Sequence, residues 1–248
     1  MYTTAFGGRA IRTPAGKELL AVDGPPLRSA RDALSLIHLQ GEGVEIGALH
    51  FPAMLSQRAS VRYVDYVTRE YSLSIYNDIT SAVEVDILDD GEILDSLPDN
   101  SLDFVVANHF LEHSKDPIGT IKVHLRKLRP GGALFYALPD RQHSFDHKRP
   151  NTPFDHLIID HEFGTAEGDR AHYAEFSRLV DGIESDVEVA AKVEHFIKTD
   201  NRIHFHAWDG RATRRLFQRM REYMKNSFDI AESLQNGAET ITILKKAA

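Results

Sequence analysis

The segment Asn108-His109-Phe110-Leu111-Glu112-His113 carries two imidazoles and a carboxylate at positions i, i+3 and i+4. That spacing brings His109, Glu112 and His113 to one face if the segment forms the first turn of a helix. Such a face is an incipient site for a divalent metal. It can also take a proton, because an imidazole titrates close to neutrality. A second set of residues points to a ligand. The apolar run Val44-Glu45-Ile46-Gly47 ends on an acid and a glycine, a helical stretch is expected next, and a second apolar run ends on Asp65. A strand stopping at a glycine lets the backbone approach a ligand closely, and an acid about 20 residues on can grip a ribose diol. The plain alternative is a turn glycine followed by acids that cap helices, at Asp65 and again at Asp86. Capping alone does not explain acids ending successive strands in this order, so a nucleoside-bearing cofactor is the better reading.

The elements that must hold these residues alternate in type. A helix is expected over Ser29-Ala30-Arg31-Asp32-Ala33-Leu34-Ser35-Leu36-Ile37, strands at 82–88, 102–107 and 133–138, and a helix whose apolar face is Ile118, Ile121, Leu125 and Leu128, stopped by Pro130-Gly131-Gly132. A further helix near Arg211 precedes two strands joined at Asn236-Gly237, a closing hairpin. Strands alternating with helices imply a parallel sheet wound on both faces. Residues 1–40 read as an arm and a helix, the first 25 being heavily punctuated by Gly and Pro, and 41–248 as one α/β domain. Within it, 140–205 is a His- and Asp-rich insertion facing substrate. Its charges, Arg141, Arg149 and the acids of the run 155–162, read one by one as ordinary solvated groups.

Composition removes several classes of function. With 248 residues and 42% hydrophobic content, the chain can bury one substantial core. A net charge of -8 argues against holding a long polyanion, which needs surplus Lys and Arg, so nucleic acid is not the expected partner. The absence of cysteine excludes disulfides, thiolate metal sites and thiol nucleophiles. No apolar run is long enough for a membrane span and no signal-peptide core opens the chain, so a cytoplasmic protein is expected.

The succession VEIGALH, YVD, VDILDD, DNSLDFVVANHFLEH and LRPGGALFYALPD, closed by a hairpin, resembles the class I S-adenosylmethionine-dependent methyltransferases over roughly residues 40–140 and 210–248. The resemblance implies a Rossmann-like, doubly wound sheet of seven strands with a C-terminal antiparallel hairpin, and S-adenosyl-L-methionine lying across the carboxyl ends of the first strands. It sets Glu45 and Gly47 beneath the methionine part of the ligand, Asp65 on the ribose, Asp86 and Ile87 beside the adenine, and Asn108 near the methionine carboxylate and amine. The family's second loop glycine is replaced here by Leu49. Small-RNA 2'-O-methyltransferases and ubiquinone-pathway O-methyltransferases carry a metal-binding ExxEH helix at the place of His109 to His113. NRIHFHAWD resembles the segment that supplies a distant histidine, His204 here. The ligand set so implied, His109, Glu112, His113 and His204, suits Zn, Fe or Mn better than Mg, which prefers oxygen. HxxEH also marks inverted zinc peptidases, but those do not place it after a buried strand in a nucleoside-binding sheet. Without a metal, His113 or His109 is the first choice of base, followed by His143 and Asp146. The insertion resembles that of bacterial methyltransferases found with glycosyltransferases and natural-product pathways, which implies a small polar acceptor methylated on oxygen or nitrogen. The rivals are a nicotinamide-dependent oxidoreductase, which the missing GxGxxG disfavours, and a non-catalytic Rossmann-like binding module.

Overall fold

The computed structural model describes residues 2–3, 9–12, 18–21, 29–76 and 79–248. Three short strands, β1 (Tyr2–Thr3), β2 (Arg9–Arg12) and β3 (Glu18–Ala21), pair antiparallel as a sheet of their own. The rest of the expected N-terminal arm lies outside the described residues. Helix α1 (Ala30–His38) follows, and then the elements of the main sheet begin.

β4 (Gly41–Ile46) runs parallel to β5 (Ala59–Asp65), and helix α2 (Arg69–Ile75), which no sequence motif singled out, leads to the short β6 (Ile87–Leu88). The chain then crosses back to β7 (Leu102–Asn108) on the other side of β4. Helix α3 (Pro117–Lys127) starts on a proline, with the Asp116 carboxylate accepting from Gly119 N, and returns the chain to β8 (Leu128–Pro139). Three helices fall within residues 140–205: α4 (Phe154–Phe163), α5 (Ala166–Leu179) and α6 (Asp186–Thr199). α7 (Gly210–Tyr223), capped by Asp209, precedes β9 (Phe228–Asn236) and β10 (Glu239–Lys246). The resulting order is β6-β5-β4-β7-β8-β10-β9, with β10 antiparallel to both of its neighbours. This is the seven-stranded α/β architecture expected from the sequence.

Central strands are apolar on both faces, as a sheet covered on two sides requires. In β7, Val105 and Ala107 join Ile118, Leu125, Leu157 and Phe217 on one side, while Phe104 and Val106 join Leu34, Leu39 and Ile243 on the other. A separate apolar cluster of Tyr173, Val189, Val193, Phe196, Ile203 and Phe205 lies within the insertion and the segment that leaves it.

Four sequence expectations need correction. No helix follows β4: residues 48–58 form an irregular loop, because Pro52 interrupts it and Ala53 donates its N–H to the Glu45 carboxylate instead of to a helical carbonyl. Of the strand expected at 82–88 only Ile87–Leu88 pairs, which leaves a short sheet edge. The hairpin loop is Gly237-Ala238, with Gly237 at φ +61 and Asn236 still paired to Glu239. Arg149 and Asp160 are buried, not solvated.

Candidate active site

The direction of winding reverses between β4 and β7, so a crevice opens at the carboxyl ends of these two strands. Ile46 pairs with Ala107, which sets Gly47 and Asn108 side by side at its floor. Gly47 adopts φ +63, and a methyl group built on it would meet no atom within 4 Å. A cavity of about 280 Å³ lies there, lined by Arg31, Glu45, Gly47, Phe51, Asn108 and His109. The Asn108 amide is buried with neither its oxygen nor its nitrogen hydrogen-bonded. A buried amide left without partners is costly and fits a floor built to meet a polar ligand. Leu49, in the place of the second glycine, still takes the left-handed backbone at φ +48, so the loop keeps a glycine-like course at the cost of strain.

Glu45 is almost wholly buried, and both of its carboxylate oxygens face Ala53 N, at 3.1 and 3.0 Å. Burial pushes its pKa up to about 7, against the opposing pull of Ala53 N–H and the Arg31 charge. Asp65 ends β5, accepts from Val67 N at 3.3 Å, and is shifted upward by burial. Ile87 pairs with Val64 one strand over. Asp86 departs from its expected place. It precedes β6 and is level with Tyr63, whose N–H it accepts at 2.8 Å, below the rim that Asp65 reaches. Asp89 and Asp90 sit at that rim instead, with Asp89 N bonded to Asp65 O at 3.0 Å. All three acids stand in the same VDILDD motif. Which of them reaches the edge depends on where β6 begins, and composition does not reveal that.

The histidine constellation assembles, with one change of membership. Glu112 and His113 lie on a 3-10 turn, Leu111–His113, ahead of α3, so the helical premise fails while the neighbourhood holds. The Glu112 carboxylate is 1% exposed, and neither oxygen has a hydrogen-bond partner. Glu112, His113 and His204 offer ligand atoms within 4.8 Å of one another. His113 donates Nδ1–H to Ile203 O at 2.9 Å, and His204 donates Nδ1–H to Asp146 Oδ2 at 2.6 Å. Both tautomers are thereby fixed, and each ring keeps its Nε2 lone pair for a ligand. Burial lowers the His113 pKa, which keeps that ring neutral. A buried carboxylate facing two lone pairs calls for a cation between them. His109 is not part of this set. It stands in a left-handed turn at φ +51, half-exposed, with Nε2 bonded to Glu239 at 2.8 Å and Nδ1 3.9 Å from Glu112 Oε1. His143 is exposed on a separate 3-10 turn and takes no part.

Three functional neighbours were not evident from the sequence. Glu239 begins β10, and since β10 is antiparallel to β8, its first residue falls at the same edge as the carboxyl ends of the parallel strands. Arg31, His109 and Asn236 all bond its carboxylate and hold its pKa down at about 2 against the effect of burial. Asp146, a base candidate by sequence, instead orients His204. Arg149, fully buried, donates to Asp146 Oδ1, Glu175 Oε1 and the carbonyls of His204 and Phe205, at 2.7–2.9 Å. A single arginine thus ties Asp146 and α5 to the segment that presents His204.

Comparison with known proteins gives a family. A family model described as a methyltransferase domain matches residues 36–220. No curated protein matches the sequence. Among solved structures, the CurJ carbon methyltransferase is similar at 13% identity and a TM-score of 0.45, over 85% of this chain and 49% of its own, so the chain spans about half that protein's length. An S-adenosylmethionine-dependent methyltransferase from Methanosarcina mazei is similar at 16% identity and TM-score 0.46, over 87% of this chain and 96% of that one. A Rhodobacter sphaeroides structure named for zinc-dependent alcohol dehydrogenases is similar at 16% identity and TM-score 0.47, over 91% and 92%. None of these three likenesses bears on activity.

Proposed function

The chain belongs to the methyltransferase-domain family, a class I S-adenosylmethionine-dependent group, and from that premise we propose that it methylates an oxygen or nitrogen of a small polar metabolite with the help of a divalent metal at Glu112, His113 and His204. The observation that carries the metal is the Glu112 carboxylate, buried without a donor and faced by two tautomer-locked imidazoles. The observation that supports the cofactor's place is the unpartnered Asn108 amide beside the open Gly47 turn. In this reading Gly47, Asn108 and Glu45 border the methionine half, Asp65 takes the ribose hydroxyls, and Ile87 with the rim acids Asp89 and Asp90 flanks the base.

The bound sulfonium supplies an electrophilic methyl group, and the metal supplies positive charge that favours the deprotonated acceptor. The protein aligns the acceptor for in-line attack and disposes of its proton. His109 is suited to the second task. Its Nε2–H is held by the Glu239 carboxylate, as an orienting acid holds a general base, which leaves Nδ1 as the proton-accepting atom at the cavity wall. Glu239 itself is fixed by Arg31 from α1. An acidic chain of net charge -8 supports a small acceptor over nucleic acid, and a cytoplasmic location belongs to the same proposal. Among the described residues no helix is long and apolar enough to cross a membrane.

Titration calorimetry with S-adenosylmethionine and with NAD tests the cofactor. Binding of the first alone is expected, binding of NAD would favour an oxidoreductase, and binding of neither a scaffold. Dialysis against a chelator is expected to reduce turnover, with Mn or Zn restoring it. Full activity in the stripped protein would leave the metal without a role.

A further inference from the structure

A second group of histidines, none of them among the residues placed in the active site, lies where the insertion meets the main body. His156 and Asp160 stand one turn apart on α4, His172 on α5, and His206 on the segment leading to α7. The ring nitrogens of His156, His172 and His206 lie within 4.8 Å of one another. Nε2 of His156 is 2.9 Å from Nε2 of His172, and Asp160 Oδ2 is 3.0 Å and 3.9 Å from those same two atoms. His206 is wholly buried, yet neither of its ring nitrogens has a hydrogen-bond partner. Trp208 stacks on it at a centroid distance of 5.4 Å.

Hydrogen bonding alone does not account for this arrangement. One proton between His156 and His172 satisfies that pair, but His206 keeps two unmet nitrogens in the interior, at roughly 1–3 kcal/mol for an unsatisfied buried polar group. Asp160 is also buried. His172 and His206 are both buried, and their ring nitrogens turn toward His156 and toward each other. Backbone packing brings the carboxylate close on purpose: a Cβ on Gly168 of α5 would come within 2.6 Å of Asp160 Oδ1. Glycine inside a helix costs about 1 kcal/mol relative to alanine, and here it admits the approach of α5 to α4.

We propose that His156, His172, His206 and Asp160 form a structural site for a divalent metal of the zinc class. Three converging imidazoles with a carboxylate beside two of them match the ligand chemistry and count of a structural tetrahedral zinc site. Its ligands come from α4, α5 and the segment at 206, so the metal fastens the inserted helices to the stretch that carries His204.

The test uses the full chain and separates this site from the one at Glu112. Elemental analysis of the purified Glu112→Gln protein is expected to find about one zinc per chain, and of a Glu112→Gln, His156→Gln protein to find none. His156 is the most accessible of the three histidines, which makes it the mildest to replace. Cobalt loaded into the Glu112→Gln protein is expected to give the intense visible bands of four-coordinate geometry. Zinc added to stripped Glu112→Gln protein is expected to raise Tm by roughly 5 °C or more. If the double variant does not fold, the cobalt spectrum and the Tm shift decide. Zinc content unchanged by His156→Gln, or a Glu112→Gln protein that binds no metal and shows no Tm response, overturns the proposal.

Discussion

At Asp65 a single side chain is asked to hold two ribose hydroxyls. Asp65→Ala is therefore expected to weaken S-adenosylmethionine binding by about tenfold or more, since charge-assisted hydrogen bonds are lost, and calorimetry measures this directly. Unchanged affinity would take Asp65 out of the site. Glu112→Gln keeps the shape of the side chain and removes its charge. Metal at Glu112, His113 and His204 should then be lost and turnover should fall at least about tenfold, while S-adenosylmethionine affinity stays within a few-fold, because the carboxylate does not line the cavity at Gly47. Of the residues the motifs single out, Gly47 and Asn108 line the cavity, Asp65 ends β5, and Glu112, His113 and His204 stand together. The sequence misjudged which neighbours those residues choose. His109 turns to Glu239 because a left-handed backbone aims it there, and no spacing rule contains that turn.

The loop after β4 shows how an element can be lost to one side chain. Glu45 holds Ala53 N–H, and the segment that periodicity assigned to a helix is drawn down over the strand end instead. Burial of this carboxyl makes stability depend on pH in a definite direction. The folded pKa of about 7 lies above the ordinary 4.5, so the folded state binds the extra proton, and this residue's stabilising contribution is complete below about pH 4.5 and lost as pH rises through 7. Glu45→Gln mimics the protonated form. Relative to the unsubstituted protein it is expected to gain up to roughly 3 kcal/mol in stability between pH 5 and pH 8, measured by urea unfolding at both values. A difference that does not change with pH would mean that Glu45 is ionised in the fold throughout. β6 teaches a related lesson. Its motif was legible, but its two paired residues begin later than expected, so Asp86 spends its carboxylate on Tyr63 N and the rim passes to Asp89 and Asp90.

Across the whole molecule, Arg149 gathers four acceptors that the chain order scatters over residues 146–205. Arg149→Met is expected to cost about 3–5 kcal/mol, because Asp146 would be left buried without its guanidinium partner. The denaturation midpoint in urea measures the loss, and the same variant should weaken metal binding at Glu112 by loosening the orientation of His204. An unchanged midpoint would show that Arg149 is spectator to the fold. A lone arginine in a polar stretch gives no sign of this role, since burial of a charge is decided by partners that lie 26, 55 and 56 residues away.

The sequence by itself determined the alternation of strands and helices and the closing hairpin. These depend on periodicity and on glycine and proline, all of which act over a few residues. Only the tertiary structure decided which acid reaches the rim, that antiparallel β10 delivers Glu239 to His109, and that histidines 156, 172 and 206 meet. Those outcomes depend on register and on contacts between segments far apart in the chain, where a one-residue shift changes the partner and no local pattern records the choice.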